Sequence, residues 1–242
     1  MSGSRYGVFA GLSLVVFLIA ANVAYTYLVV NFAYDDILRE PVETILESYT
    51  AGGPGLVLAW AAFAWSALVF VLAACLVGIA FAERHGQLVW MTTAAGAASG
   101  IVQAVGLFRW VFVVPSLANA YAAADAGSAE RAAVVQTFIA LNQYGGVALG
   151  EHLGQILLVA WSIGIIVACW RAGGALKWTS PIGIATIPLW IVGQTELFAT
   201  AIPGAPVIEA TPIAFMLWMV WLFALAAALT FQREARRSGS GG

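Results

Sequence analysis

GGVALGEHLGQ, residues Gly145–Gln155, sets a glutamate and a histidine side by side at the head of a long apolar run. A spanning helix needs about 20 mostly apolar residues, and this run is long enough to cross a bilayer. Working outward, five further stretches qualify, so the expected spans are 7–33, 55–82, 88–114, 146–170, 181–202 and 211–231. The 242-residue chain is 62% hydrophobic and 9% charged, with a mean hydropathy of +0.92. A soluble domain carries roughly 25% charged residues. The expected fold is therefore all-α: one six-helix transmembrane bundle over residues 1–232, then a basic cytoplasmic tail over 233–242.

The cations outside the spans orient the bundle. Arg5, Arg84, Arg171, Lys177, Arg233, Arg236 and Arg237 fall on one side, against Arg39 and Arg131 on the other. Cytoplasmic loops carry the excess of Lys and Arg, so both termini are expected inside. Arg5 precedes the first apolar run, but that run is far longer than the roughly 7–15 residues of a secretory signal core, so it is expected to be a retained helix. Between spans one and two, Leu38, Val42, Ile45, Leu46 and Tyr49 recur at helical spacing opposite Asp36, Glu40, Glu43 and Glu47. This pattern predicts an amphipathic helix lying on the outer surface. Residues 116–130 read as an alanine-rich loop. Ser128 is the expected N-cap of a short interfacial helix over 131–143, with Glu130 in its first turn. The terminal SGSGG reads as a fusion scar.

Several chemistries are excluded. A net charge of −2 gives no basic signature for nucleic acid. Cys75 and Cys169 are isolated, with no CxxC, and read as small buried hydrophobes. Lys177, the one lysine, lies in a loop, so no retinal Schiff base fits within the bundle. One histidine in a span excludes bis-histidine haem within one chain. Gly96–Gly100 reads GAASG, which is not an intramembrane serine-protease pattern, and no phosphate-binding glycine loop follows a strand. No metal or cofactor is expected.

Packing and charge signals remain. Gly96 and Gly100 on span three, and Gly146, Gly150 and Gly154 on span four, form small-xxx-small faces. Such faces let helices approach where lipid supplies no hydrophobic drive. Of the ten tryptophans, Trp60, Trp90, Trp110, Trp170 and Trp178 are expected at the interfaces. Trp65, Trp161, Trp190, Trp218 and Trp221 are expected deeper. Arg109, Glu151, His152 and Glu196 lie within spans, where a charge costs about 2.5–3.5 kcal/mol on insertion scales. With the termini inside, all four fall at similar depth near the outer ends of spans three, four and five. Gln155 shares a face with Glu151 at i, i+4. Of Gln194 and Glu196, which point in opposite directions, Glu196 is the expected inward residue. Asn22, Tyr25 and Gln103 are further contributors. The arginine disfavours a bound cation.

Gly106–Pro115 (GLFRWVFVVP), Leu117-Ala118, and Gly150–Gly154 (GEHLG) before Trp161 resemble bacterial multispan proteins of the domain-of-unknown-function 4386 family. The resemblance covers roughly Leu88 to Phe231. It implies a helical protein of the bacterial cytoplasmic membrane with no established activity, and it names no catalytic residues. Three functions compete. The first is a binding or transport protein whose outer polar pocket holds a small amphiphilic or anionic ligand. The second is an intramembrane enzyme using Glu151 or His152 as acid or base. The third is an accessory subunit that docks a partner membrane protein or a second copy, with a structural Arg–Glu cluster. The balance leans away from an enzyme.

Overall fold

A computed structural model describes residues 3–238. The side chains of Arg5, Arg84, Arg233, Arg236 and Arg237, five of the expected cytoplasmic cations, and the 239–242 end of the tail lie outside the described residues. Among the described residues six helices are long and apolar enough to cross a membrane: α1 Tyr6–Phe32, α2 Val42–Ala82, α3 Gly86–Ala123, α4 Ala129–Ala172, α5 Gly174–Ala199 and α6 Thr211–Phe231. The chain is an all-helical, multi-pass membrane protein.

Helical hydrogen bonding runs unbroken from Val42 to Phe112, yet this is not one rod. Gly86 takes φ +51, and a Cβ added at Gly78 would collide with Thr93. Those residues would stand about 22 Å apart along a straight helix at 1.5 Å per residue. The chain therefore doubles back at Gly86, and α2 and α3 are antiparallel neighbours there.

Two expected boundaries differ. The acidic segment before span two is not a separate surface helix. After a short turn at Asp36–Arg39, helix begins at Val42 behind Pro41 and continues into α2. Glu40, Glu43 and Glu47 are exposed as the pattern requires, but Ile45, Leu46 and Tyr49 are buried against protein. An apolar face that finds aromatic side chains to pack on need not lie against lipid. The second difference is at 116–130, where α3 continues through Val114–Ala123. Alanine is the best helix former, and Pro115 sits in the first turn where its missing N–H costs nothing. Helix resumes at Ala129, capped as expected by Ser128, whose side chain accepts from Arg131 N–H at 3.2 Å.

The chain forms two compact units, residues 1–18, 68–101 and 152–242 in the first and residues 19–67 and 102–151 in the second. In the first, glycines seat tryptophans. A Cβ at Gly96 would strike the Trp161 indole, and one at Gly183 would lie 2.8 Å from Trp221 Cε2. Phe17, Phe70, Trp161, Trp218 and Trp221 interlock edge to face or tilted, and Trp218 donates to Ser162 Oγ at 3.0 Å. Gly7 and Gly11 bring α1 against the backbone of α6 at Leu229 and Ala226.

The second unit has its own aromatic core. Trp60 and Trp110 stack at 4.7 Å and 8°, with Phe32 edge-on to both. Both tryptophans are fully buried, so they are not the interfacial belt residues expected. Their neighbours Phe32, Tyr49 and Phe138 come from segments whose arrival the sequence does not announce. Trp90, Trp170 and Trp178 are exposed, as a belt requires, and Trp65 is exposed too, as a lipid-facing side chain would be.

Candidate functional site

The site begins with glycines. In the second unit, a Cβ at Gly106 of α3 would lie 2.7 Å from Gly150 Cα and 2.9 Å from the Gly145 carbonyl oxygen. Backbone meets backbone there, and only glycine allows it. One turn along α3 comes Arg109. A Cβ at Gly146 would run into its guanidinium, with Nε at 3.0 Å, so the arginine lies flat over that glycine. Gly106, Gly145, Gly146 and Gly150 thus clear a floor on which a large cationic side chain can rest.

Within α4, residues Asn142–Leu153 are π-helical rather than α-helical. The wider i→i+5 turn is rare and recurs at functional sites. Paired glycines here weaken the α-helical preference that would otherwise hold the register. The turn sets Asn142 opposite Arg109. Arg109 donates through Nη2 at 2.9 Å and Nε at 3.3 Å to Asn142 Oδ1, and through Nη1 at 2.5 Å to the Gly106 carbonyl. The Trp110 ring lies 5.2 Å from its charged carbon. The guanidinium's bonded acceptors are neutral, and they leave donors of the fork unused.

Glu151 and Tyr34, also in this unit, interact electrostatically with Arg109. Burial, reinforced by the charges of Asp35 and Glu151, holds the Tyr34 phenol well above its usual 10.0, although Arg109 opposes the shift. Tyr34 is thus a neutral hydroxyl at physiological pH. Its ring packs edge-on against Trp60, at 5.0 Å, and against Tyr25, whose own hydroxyl donates to Asp35 Oδ2 at 3.4 Å. Asn22 and Gln103 belong to the same unit.

His152, Gln155 and Glu196 belong to the first unit. There the polar groups answer one another. His152 Nδ1 lies 2.7 Å from Gln194 Oε1, and Gln194 Nε2 donates at 2.5 Å to Gln155 Oε1. With Gln194 Oε1 as acceptor, Nδ1 carries the proton. Phe198 closes edge-on over the imidazole at 5.3 Å. Gln194 is buried and Glu196 only half-buried, so the inward-facing residue of that pair is the glutamine. On the α3 side of the same unit, Ser99 Oγ donates to the Gly154 carbonyl at 2.7 Å, and Gly96 receives Trp161. Gly100 is buried.

Asn142 is the residue that sequence reasoning passed over, and Gln194 is the one it set aside in favour of Glu196. Both are neutral amides, which raise no cost alarm within a span. Asn142 did carry a signal, since it stands three residues before the paired glycines and nine before Glu151.

The family model described as Domain of unknown function (DUF4386) matches residues 9–226. No curated protein and no solved structure matches.

Proposed function

The chain belongs to the DUF4386 family, and from that premise we propose that it is a binding or transport protein that holds the anionic group of a small amphiphile at Arg109. The observation that carries this reading is the set of partners around the guanidinium. A cation within a span is costly, and a carboxylate in direct contact would offset most of that cost. Glu151 is near enough to interact with Arg109, yet the bonded acceptors are Asn142 and a backbone carbonyl. These bonds fix the planar fork through neutral acceptors. A guanidinium fixed by neutral acceptors suits bidentate capture of a carboxylate or phosphate.

The excess of loop cations supports cytoplasmic termini, with the Arg109 end toward the outside. The family resemblance supports the bacterial cytoplasmic membrane. An intramembrane acid/base enzyme and an assembly subunit both leave the neutral partners of Arg109 without a purpose.

Thermal stabilisation of delipidated protein by a panel of anionic and neutral lipids and metabolites tests the proposal. Anionic compounds are expected to raise the melting temperature of the wild type and not that of Arg109→Gln. Equal response of the two proteins, or response to neutral compounds alone, would contradict it.

A further inference from the structure

We infer that capture of an anion at Arg109 is coupled to uptake of one proton, and that Glu151 is the group that holds it; this rests on the reading of Arg109 as an anion site. The close contact of α3 and α4 brings the two residues to one place in the second unit. Gly106 and Gly150 meet backbone to backbone, Arg109 stands one turn beyond Gly106 and lies over Gly146, and Glu151 directly follows Gly150. The guanidinium and the carboxylate interact electrostatically. Before an anion arrives, their charges offset one another. A monoanion on the guanidinium leaves one negative charge in excess, within spans where charge is expensive. Two anions beside one guanidinium also repel, and that repulsion favours the neutral form of whichever can take a proton. A proton on the Glu151 carboxyl restores the balance. Proton and anion then occupy the span as a neutral pair, the state least costly to hold in hydrocarbon or to carry across it.

The groups around this pair do not offer the proton a better place. Arg109 is already protonated, and Asn142, which fixes it, does not titrate. Tyr34 interacts with both Arg109 and Glu151, but its phenol is a neutral hydroxyl with no proton to gain. Asp35, which also interacts with Tyr34, lies between α1 and α2, outside the spans, and accepts from the Tyr25 hydroxyl of α1 at 3.4 Å. His152 and Glu196 belong to the first unit, where the histidine Nδ1 is bonded to Gln194. Glu151 is the carboxyl that lies in a span and interacts with the guanidinium. The sign of the pH dependence follows. Where Glu151 is protonated before binding, affinity is independent of pH. Once the free carboxyl is ionised, each anion must bring a proton, and affinity falls by up to about tenfold per pH unit as pH rises.

Dihexanoyl phosphatidylglycerol is the probe, because its phosphodiester keeps one charge across the range in which glutamate carboxyls titrate in proteins, about pH 4 to about pH 9. Calorimetric titration in pairs of buffers with different ionisation enthalpies counts the protons taken up per anion bound. The wild type is expected to approach one proton per anion where its affinity falls about tenfold per pH unit. Glu151→Gln should bind the probe with no proton uptake and with an affinity flat in pH, so that at alkaline pH it binds more tightly than the wild type. His152→Gln should take up protons as the wild type does. Should Glu151→Gln fail to fold, infrared difference spectra of wild type with isotope-labelled glutamate carboxyls decide: binding is expected to convert a carboxylate signal to a protonated one. Binding by the wild type without proton uptake, uptake undiminished in Glu151→Gln or lost in His152→Gln, or an unchanged glutamate signal overturns the proton site and leaves the anion site standing. No binding by the wild type, or equal binding by Arg109→Gln, overturns both.

Discussion

The two units bury polar side chains by opposite means. In residues 152–242 and their partners, a histidine and two glutamines satisfy one another, and no fixed charge is involved. In residues 19–67 and 102–151, a permanent cation rests on a glycine floor and is bonded by an amide and a carbonyl. In the first arrangement neutral groups bond one another across helices. The second holds a cation at a fixed position within a span, which costs stability unless something repays it. The difference separates a polar cluster that joins helices from one arranged to meet an anion.

Substitutions can break that comparison, and the largest effect is expected at the glycine floor. Gly106→Val drives a side chain into the Gly150 backbone, which cannot yield as a flexible side chain would. The loss should reach the upper end of the about 1–3 kcal/mol typical of overpacking, read as a lowered thermal midpoint and lost ligand response. A variant as stable as wild type would deny the close approach. Next comes Gln194→Leu, which strands His152 and Gln155 and should cost about 1–3 kcal/mol. Adding Gln155→Leu should restore part of that, and ligand-induced stabilisation should survive in both. If ligand response vanished with Gln194, the first unit would not be merely structural.

Smaller effects sharpen the comparison. Ser128→Ala removes a helix cap in the second unit and should cost about 1 kcal/mol, again sparing the ligand response. Arg109→Gln should change stability least, within about 1 kcal/mol, because the lost bond to Asn142 is offset by removal of a charge from the membrane. Its ligand response should nonetheless disappear. A collapse of folding in Arg109→Gln, measured by thermal or detergent denaturation, would return the arginine to a purely structural role.

Much of this was legible in the chain. Unbroken apolar runs revealed the six spans, because bilayer thickness sets their length and the cost of charge polices their interior. The same cost singled out Arg109, Glu151, His152 and Glu196. Small-residue spacing pointed to the contact of spans three and four, which Gly106, Gly150, Gly96 and Trp161 make. The rest was illegible for physical reasons. A π-helical stretch has no distinct hydrophobic period, so the facing of Asn142 toward Arg109 could not be read. Asn142 and Gln194 are uncharged, and their importance lies in partners brought from other helices. Trp60 and Trp110 sit near span ends and looked interfacial, because linear position cannot show that Phe32, Tyr49 and Phe138 converge on them. The acidic segment before α2 has an amphipathic pattern that fits lipid or protein equally, and tertiary packing chose protein.

The central claim is that Arg109 meets an anion rather than a glutamate. A high-resolution map of the protein in a phosphatidylglycerol nanodisc tests it most directly. The account predicts additional density about 2.7–2.9 Å from the guanidinium, with the bond to Asn142 retained. A Glu151 carboxylate in direct contact with Arg109, and no further density beside it, would contradict the account.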